Sequence, residues 1–173
     1  MREAMTQAIR EAARASGGRP VPPANLHITM AFLGSVPEGR LRQLAAIARC
    51  AEGPLSGGSA SLAGEVSGVE LVFDHLEYWR AAHLLCAVPD PAPARVTALA
   101  RRLQEQLSES GFAPDLKPFR PHVTVVRKVS RPGPLGDMHP VTWRFKELAL
   151  VASRTLPAGA LYSVVESFPL CSG

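Results

Sequence analysis

The chain has 173 residues, 46% of them apolar and 20% charged, which is enough to bury a real core in one domain or two small lobes and excludes a disordered chain. Three widely spaced cysteines with no Cys-x-x-Cys pair exclude a disulfide framework and a zinc site, and they fit a reducing cytoplasm. The net charge of +4 suits an anionic substrate or a nucleic acid without demanding either.

Met1 to Ala15 carries apolar residues at Met5, Ala8, Ile9, Ala12 and Ala13, a helical stripe that ends at Ser16-Gly17-Gly18. Arg2, Arg10 and Arg14 mixed with Glu3 and Glu11 do not make a signal peptide, and no apolar run approaches the roughly 18 residues of a membrane span. The protein is therefore expected in the cytoplasm, with no membrane partner. Arg19 to Pro23 is an extended connector, since each proline fixes φ and restrains the residue before it. A strand follows from about Leu26 to Leu33. Alternation puts Leu26, Ile28, Met30 and Phe32 on one face and His27, Thr29, Ala31 and Leu33 on the other, which gives Phe32 a core role.

Pro37 and Glu38 open a second helix with Leu41, Leu44, Ala45, Ile47 and Ala48 on one face. After a turn-rich loop beginning at Glu52, short strands are expected around Ala60–Val66, Val69–Phe73 and His83–Val88. Pro89 to Ala94 breaks the chain, and a long helix then runs from Arg95 to Ser108 with Val96, Leu99, Leu103 and Leu107 facing the core. Gly111 stands where a C-cap glycine belongs. A strand from about His122 to Lys128 comes next, and final strands are expected over Val141–Ala152 and Leu161–Phe168. Cys50 on a helical pattern and Cys86 in a strand-like run are expected as small core residues. Several strand connections are too short for a crossover helix, so the fold class is α+β with mainly antiparallel sheets.

The strands around His27 and His122 each carry a His-x-Thr: His27 with Thr29 in "PANLHITMAFLG", and His122 with Thr124 in "PFRPHVTVVRK". Residues two apart on a strand share a face, so each histidine projects with its threonine. Should the strands face each other, two imidazoles and two hydroxyls would meet. A neutral imidazole can take a proton from water, and a protonated one can give a proton to a leaving oxygen. Hydroxyls can donate to the non-bridging oxygens of a phosphate held between them. A lone His-x-Thr is more often an ordinary strand feature, but two copies, each entered through prolines, are harder to dismiss. Arg127 and Lys128 add positive charge at the end of one motif, where a phosphate would welcome it.

These two segments resemble the paired signatures of the 2H phosphoesterase superfamily, and within it the RNA 2′,3′-cyclic phosphodiesterase, or 2′-5′ RNA ligase, family. The likeness runs from about Pro20 to the C-terminus, where "LALVASRTLPAGALYSVVESFPL" is similar to that family's closing strand pair, with Ser153, Gly159 and Tyr162. The resemblance implies a bilobal fold over residues 1–173, with pseudo-twofold symmetry and one motif from each lobe lining a central groove. It implies hydrolysis of a 2′,3′-cyclic phosphate at an RNA end or on a nucleotide to a 2′-phosphate, without metal or cofactor, and a weak 2′-5′ joining reaction. Carried over by motif, His27 would protonate the departing 3′ oxygen and His122 would activate water, although nothing in the residues themselves tells the two histidines apart. Thr29, Thr124 and Arg127 would hold the phosphate. Phe119, in an extended stretch before Pro121, would stack on a base.

The sequence departs from the family at its start, where an opening strand of the Arg-Leu-Phe-x-Ala-Leu type is absent. Either the chain begins further upstream or that strand is lost, its place filled by another segment or by strand exchange with a neighbouring copy of an otherwise monomeric protein. A non-catalytic RNA-end or nucleotide binder on the same scaffold is the competing function. His75, His83 and His139 are expected in exposed or core roles, and Tyr78-Trp79-Arg80 as an aromatic packing cluster.

Overall fold

In a computed structural model, the described residues are 1–51, 69–115, 117–133, 135, 137–156 and 159–170. The strand expected around Ala60–Val66, the loop before it and Cys171 lie outside them. The fold is α+β and divides into two compact units. The first holds 1–30, 70–97 and 120–144, and the second holds the remaining segments.

The amphipathic N-terminus forms α1 (Arg2–Ala8) and α2 (Arg10–Ala15), with a one-residue break at Ile9 and with Met5, Ile9 and Ala13 buried along one stripe. Gly17 ends it in the left-handed conformation (φ +61°) that an L side chain resists. Ser16 is buried, and its carbonyl accepts from the N–H groups of Ser130 and Arg131, tying the helix end to the loop beyond the second motif. The proline connector does more than extend. It forms β1 (Arg19–Pro20), which pairs antiparallel with Val126 and Arg127, and Val21 N–H donates to the Val125 carbonyl at 2.8 Å.

The sheet of this unit also takes β2 (Val69–Trp79), β3 (Leu84–Val88), β4 (Val123–Arg127) and β5 (Asp137–Phe145), in the order β1-β4-β3-β2-β5. The β1–β4, β4–β3 and β3–β2 pairs are antiparallel. Leu71, Phe73, Leu85, Val123, Val125 and Val126 are fully buried, and Phe73 meets Trp143 at 6.2 Å between ring centres. At a standard transfer value of about 25 cal/mol per Å² of apolar surface, each such side chain contributes roughly 1.5–3 kcal/mol.

In the second unit, a 3-10 turn at Glu38–Arg40 leads into α3 (Leu41–Cys50). Leu44 and Ile47 pack with Leu107 of α4 (Ala94–Glu109), whose first four residues belong to the first unit, and with Phe112 beyond it. Gly111 takes φ +74°, as its place after the helix requires, and Phe112 N–H returns to the Leu107 carbonyl. Arg40 donates to the Ser110 and Gly111 carbonyls while its guanidinium lies 3.7 Å over the Phe112 ring. The strands β6 (Glu147–Leu156) and β7 (Gly159–Pro169) form a separate antiparallel pair. The single strand expected over Val141–Ala152 is therefore two, divided at Lys146. β5 joins the first sheet, while the Lys146 carbonyl takes the Leu170 N–H beside the β6–β7 ribbon.

Three further expectations are corrected. Residues 26–33 lie outside any strand, because a strand is defined by a ladder and none of the described residues supplies one there. Alternation consequently fails, and Phe32 is 63% exposed instead of buried. Cys50 is exposed at the last turn of α3, whereas Cys86 is buried as expected.

Candidate active site

Cross-strand partners share a face, so the pairings of the first sheet define the surface on which the second motif stands. Opposite one another on that face lie Glu77, Cys86 and Thr124 in one row, and Trp79, Leu84 and Arg127 in the next. Simple alternation would put Arg127 on the other side from Thr124. A bulge prevents this. The register slips between Leu85 and Cys86, so Val125 is left without a partner on β3 and Arg127 comes round to the face of Thr124.

The two histidines are held in the same way. His122 Nδ1 donates to the carbonyl of Arg120 at 2.8 Å, and His27 Nδ1 donates to the carbonyl of Asn25 at 2.6 Å. Each ring thus carries its proton on Nδ1 toward the residue two places earlier, and Nε2 is the nitrogen that gains or loses a proton. The local chain explains the match. Pro23–Asn25 form a 3-10 turn before His27, and Pro121 stiffens the approach to His122.

Both His-x-Thr pairs fall in the first unit, not one in each lobe. The pairing of β1 with β4 accounts for this, since it leads the connector along the second motif strand and turns His27 out just beyond. His27 is half-buried, and its charge is felt at His122. Burial holds the His122 imidazole below the ordinary histidine value of 6.5. The Arg120 carbonyl opposes that, His27 and Arg120 push the same way as burial, and Glu77 opposes. Thr124 is half-buried and hydrogen-bonds Cys86, whose thiol burial pushes up to about 11. Thr29 is exposed. Phe119 is half-buried and belongs to the second unit.

Sequence reasoning missed the surroundings of His122. The Trp79 indole reaches across from β2 to lie 4.2 Å from the imidazole, ring centre to ring centre, tilted by 48°. Trp79 Nε1 donates to Glu77 Oε2 at 3.0 Å, and Arg120 donates to Glu77 Oε1. A shallow pocket of about 210 Å³ opens beside these groups, lined by His75, Glu77, Asp90, Arg120 and Pro121 among others. His75 is half-buried with its Nδ1 bonded to Asp74 at 2.7 Å, and His83 is exposed, as expected, with its Nδ1 bonded to Tyr78 Oη at 3.3 Å. The one available signal was the alternation Glu77-x-Trp79, which sets both side chains on a single face.

Among the described residues no group of three His, Cys, Asp or Glu side chains could hold a metal ion, and no helix is long and apolar enough to cross a membrane.

The family model of the 2′-5′ RNA ligase superfamily matches residues 2–155. The chain is 31% identical over 160 residues to the RNA 2′,3′-cyclic phosphodiesterase of Methanothermobacter thermautotrophicus, covering 87% of this chain and 81% of that protein. It is 30% identical over 113 residues to the protein of that name from Escherichia coli, covering 65% of this chain and only 57% of that relative's length. The crystal structure of E. coli LigT complexed with 3′-AMP superposes with a TM-score of 0.79 at 25% identity, covering 99% of this chain and 94% of that one. On the breadth of these matches, the chain belongs to the 2′-5′ RNA ligase superfamily.

Proposed function

We propose that this protein hydrolyses a 2′,3′-cyclic phosphodiester at an RNA end or on a nucleotide to the 2′-phosphomonoester, using His27 and His122 as its proton carriers. The observation that carries the reading is the shared tautomer of the two rings. Each Nδ1–H is committed to the carbonyl two residues back, so both rings work through Nε2. The names of the relatives, and the 3′-AMP bound to LigT, support a ribonucleotide as substrate.

In the scheme, water attacks phosphorus in line with the P–O3′ bond and passes a proton to one neutral imidazole. The P–O3′ bond breaks, and the departing 3′ oxygen takes a proton from the other ring, which entered as imidazolium. Following the family assignment, His122 is the base and His27 the acid, and the depressed proton affinity of His122 suits a ring that must start neutral. Thr29 and Thr124 donate to the non-bridging oxygens, and Arg127 offsets the charge that builds on them. With a 5′-hydroxyl in place of water, the same displacement joins two ends through a 2′-5′ link. Side chains supply every proton and every compensating charge, so the scheme calls on no metal.

The test is turnover of a nucleoside 2′,3′-cyclic monophosphate in EDTA, with the product identified by phosphorus NMR. Formation of the 2′-phosphate is expected. Binding without turnover would instead make the chain a nucleotide binder on the same scaffold.

A further inference from the structure

The contacts around His122 close on themselves. Its Nδ1 donates to the Arg120 carbonyl, the Arg120 guanidinium donates to Glu77, Glu77 accepts from the Trp79 indole, and that indole lies against the His122 ring. The Arg120 guanidinium also stands 6.0 Å from the Trp79 ring centre. Three residues from two separate segments thus fix one imidazole from two directions, by its Nδ1 and by its face. Glu77 is the hinge of the circuit, since it alone takes both remaining donors.

We propose that Glu77 is a positioning residue for His122, holding the imidazole at its working angle through the Trp79 indole and the Arg120 side chain. This rests on the reading of His122 as a proton carrier. Glu77 itself touches no reacting atom in the scheme. A half-buried ring on an exposed rim rotates about χ2 unless something packs its face, and an aromatic neighbour anchored by a carboxylate does so with little loss of freedom of its own. The charged groups that face the ring are His27 from the segment after the connector, Arg120 from the chain before β4, and Glu77 from β2. Cys86 and Arg127 stand on the same face of the sheet, and His75 Nε2 lies 3.6 Å from Glu77 Oε1. Removing the Glu77 charge takes away a group that favours the imidazolium and leaves Arg120 uncompensated, so both changes act in one direction.

The experiment compares Glu77→Gln, Trp79→Phe and the double variant with the parent chain. One readout is the NMR titration of the His122 ring, and the other is the pH profile of nucleoside 2′,3′-cyclic phosphate turnover. Glu77→Gln keeps the shape and an acceptor for the indole, so the fold is retained. The His122 midpoint is expected to move to lower pH, and one limb of the rate profile should move with it. The rate constant kcat should fall between about tenfold and a hundredfold, as for a misplaced catalytic group, with KM little changed. Residues acting through one another give non-additive losses, so the double variant should lose no more than the worse single one. An unmoved His122 midpoint together with an unchanged kcat in Glu77→Gln would overturn the proposal, and so would fully additive losses. Should the parent show no turnover, the reading of His122 as a catalyst fails, while the NMR titration still decides whether Glu77 governs the ring.

Discussion

Arg127 and Thr124 stand on one face of the first sheet although they are an odd number of residues apart, because Val125 bulges out of the pairing between β3 and β4. The bulge brings a fixed positive charge to the face of the sheet that carries Thr124. Arg127→Ala is expected to lower kcat/KM roughly a hundredfold, the scale of losing one preorganised donor to a developing oxyanion. Arg127→Lys should recover only part of this, since a point charge cannot reproduce the two-pronged contact of a guanidinium. Steady-state kinetics on a nucleoside 2′,3′-cyclic phosphate checks both, and a wild-type rate in Arg127→Ala would remove the residue from the scheme.

His27→Ala and His122→Ala should each reduce kcat at least about a hundredfold without loss of fold, as removal of a general acid or base does. The parent rate should rise and fall between about pH 5 and 8, because one ring must be neutral while the other is charged. Single-turnover rates across that range settle the matter, and a flat profile counts against two imidazoles.

The depressed proton affinity of His122 also sets a stability trend. The unfolded chain binds a proton at an ordinary histidine value of 6.5 while the folded ring resists it, chiefly through burial. The contribution is present above that value and is lost as pH falls through the lower folded one. Urea midpoints should therefore decline from about pH 7.5 to about pH 5, and His122→Gln should flatten that slope. An identical slope in the variant would mean that another group causes the decline.

Cys86 offers a chemical probe of the same sheet. With its thiol pushed up to about 11 by burial, it should hold almost no thiolate near neutral pH. Exposed Cys50 should react with a thiol reagent in the folded protein, and Cys86 only after denaturation. Peptide mapping by mass spectrometry distinguishes them.

Gly18 makes a prediction that joins fold to site. A Cβ there would come within 2.6 Å of Val126 Cγ1 and 2.8 Å of the Arg127 carbonyl oxygen, and the latter is backbone. Gly18→Ala should cost about 1–3 kcal/mol, the usual scale of overpacking, and should lower kcat by loosening β1 from β4. Thermal unfolding and activity, measured together, test whether the two losses occur in one variant.

Periodicity alone revealed the helices and the buried strands. Met5, Ile9 and Ala13, like Leu44 and Ile47, lie where an amphipathic stripe puts them, and Gly111 caps α4 as its position demands. Local pattern could not show partners. Nothing in "HITMAFLG" says that the segment has no ladder among the described residues, so the face assigned to Phe32 was wrong. The candidate histidines were visible because the motif occurs twice. The bulge that turns Arg127 and the Glu77–Trp79 support of His122 depend on register between distant strands, and no window of a few residues carries that information.

The pairing of Arg19 and Pro20 with Arg127 and Val126 has a consequence for how the molecule comes into being. His27 leaves the ribosome early, yet it has nothing to work with until the strand that holds its counterpart has been made and the first thirty residues have come back to lie against it. Long-range pairings of this kind form late, after the chain has met the entropy of closing so large a loop. A nascent or half-folded chain therefore carries both histidines before the surroundings that hold them exist. Under the proposed reading, the ability to open a 2′,3′-cyclic phosphate would arrive only with completion of the first unit.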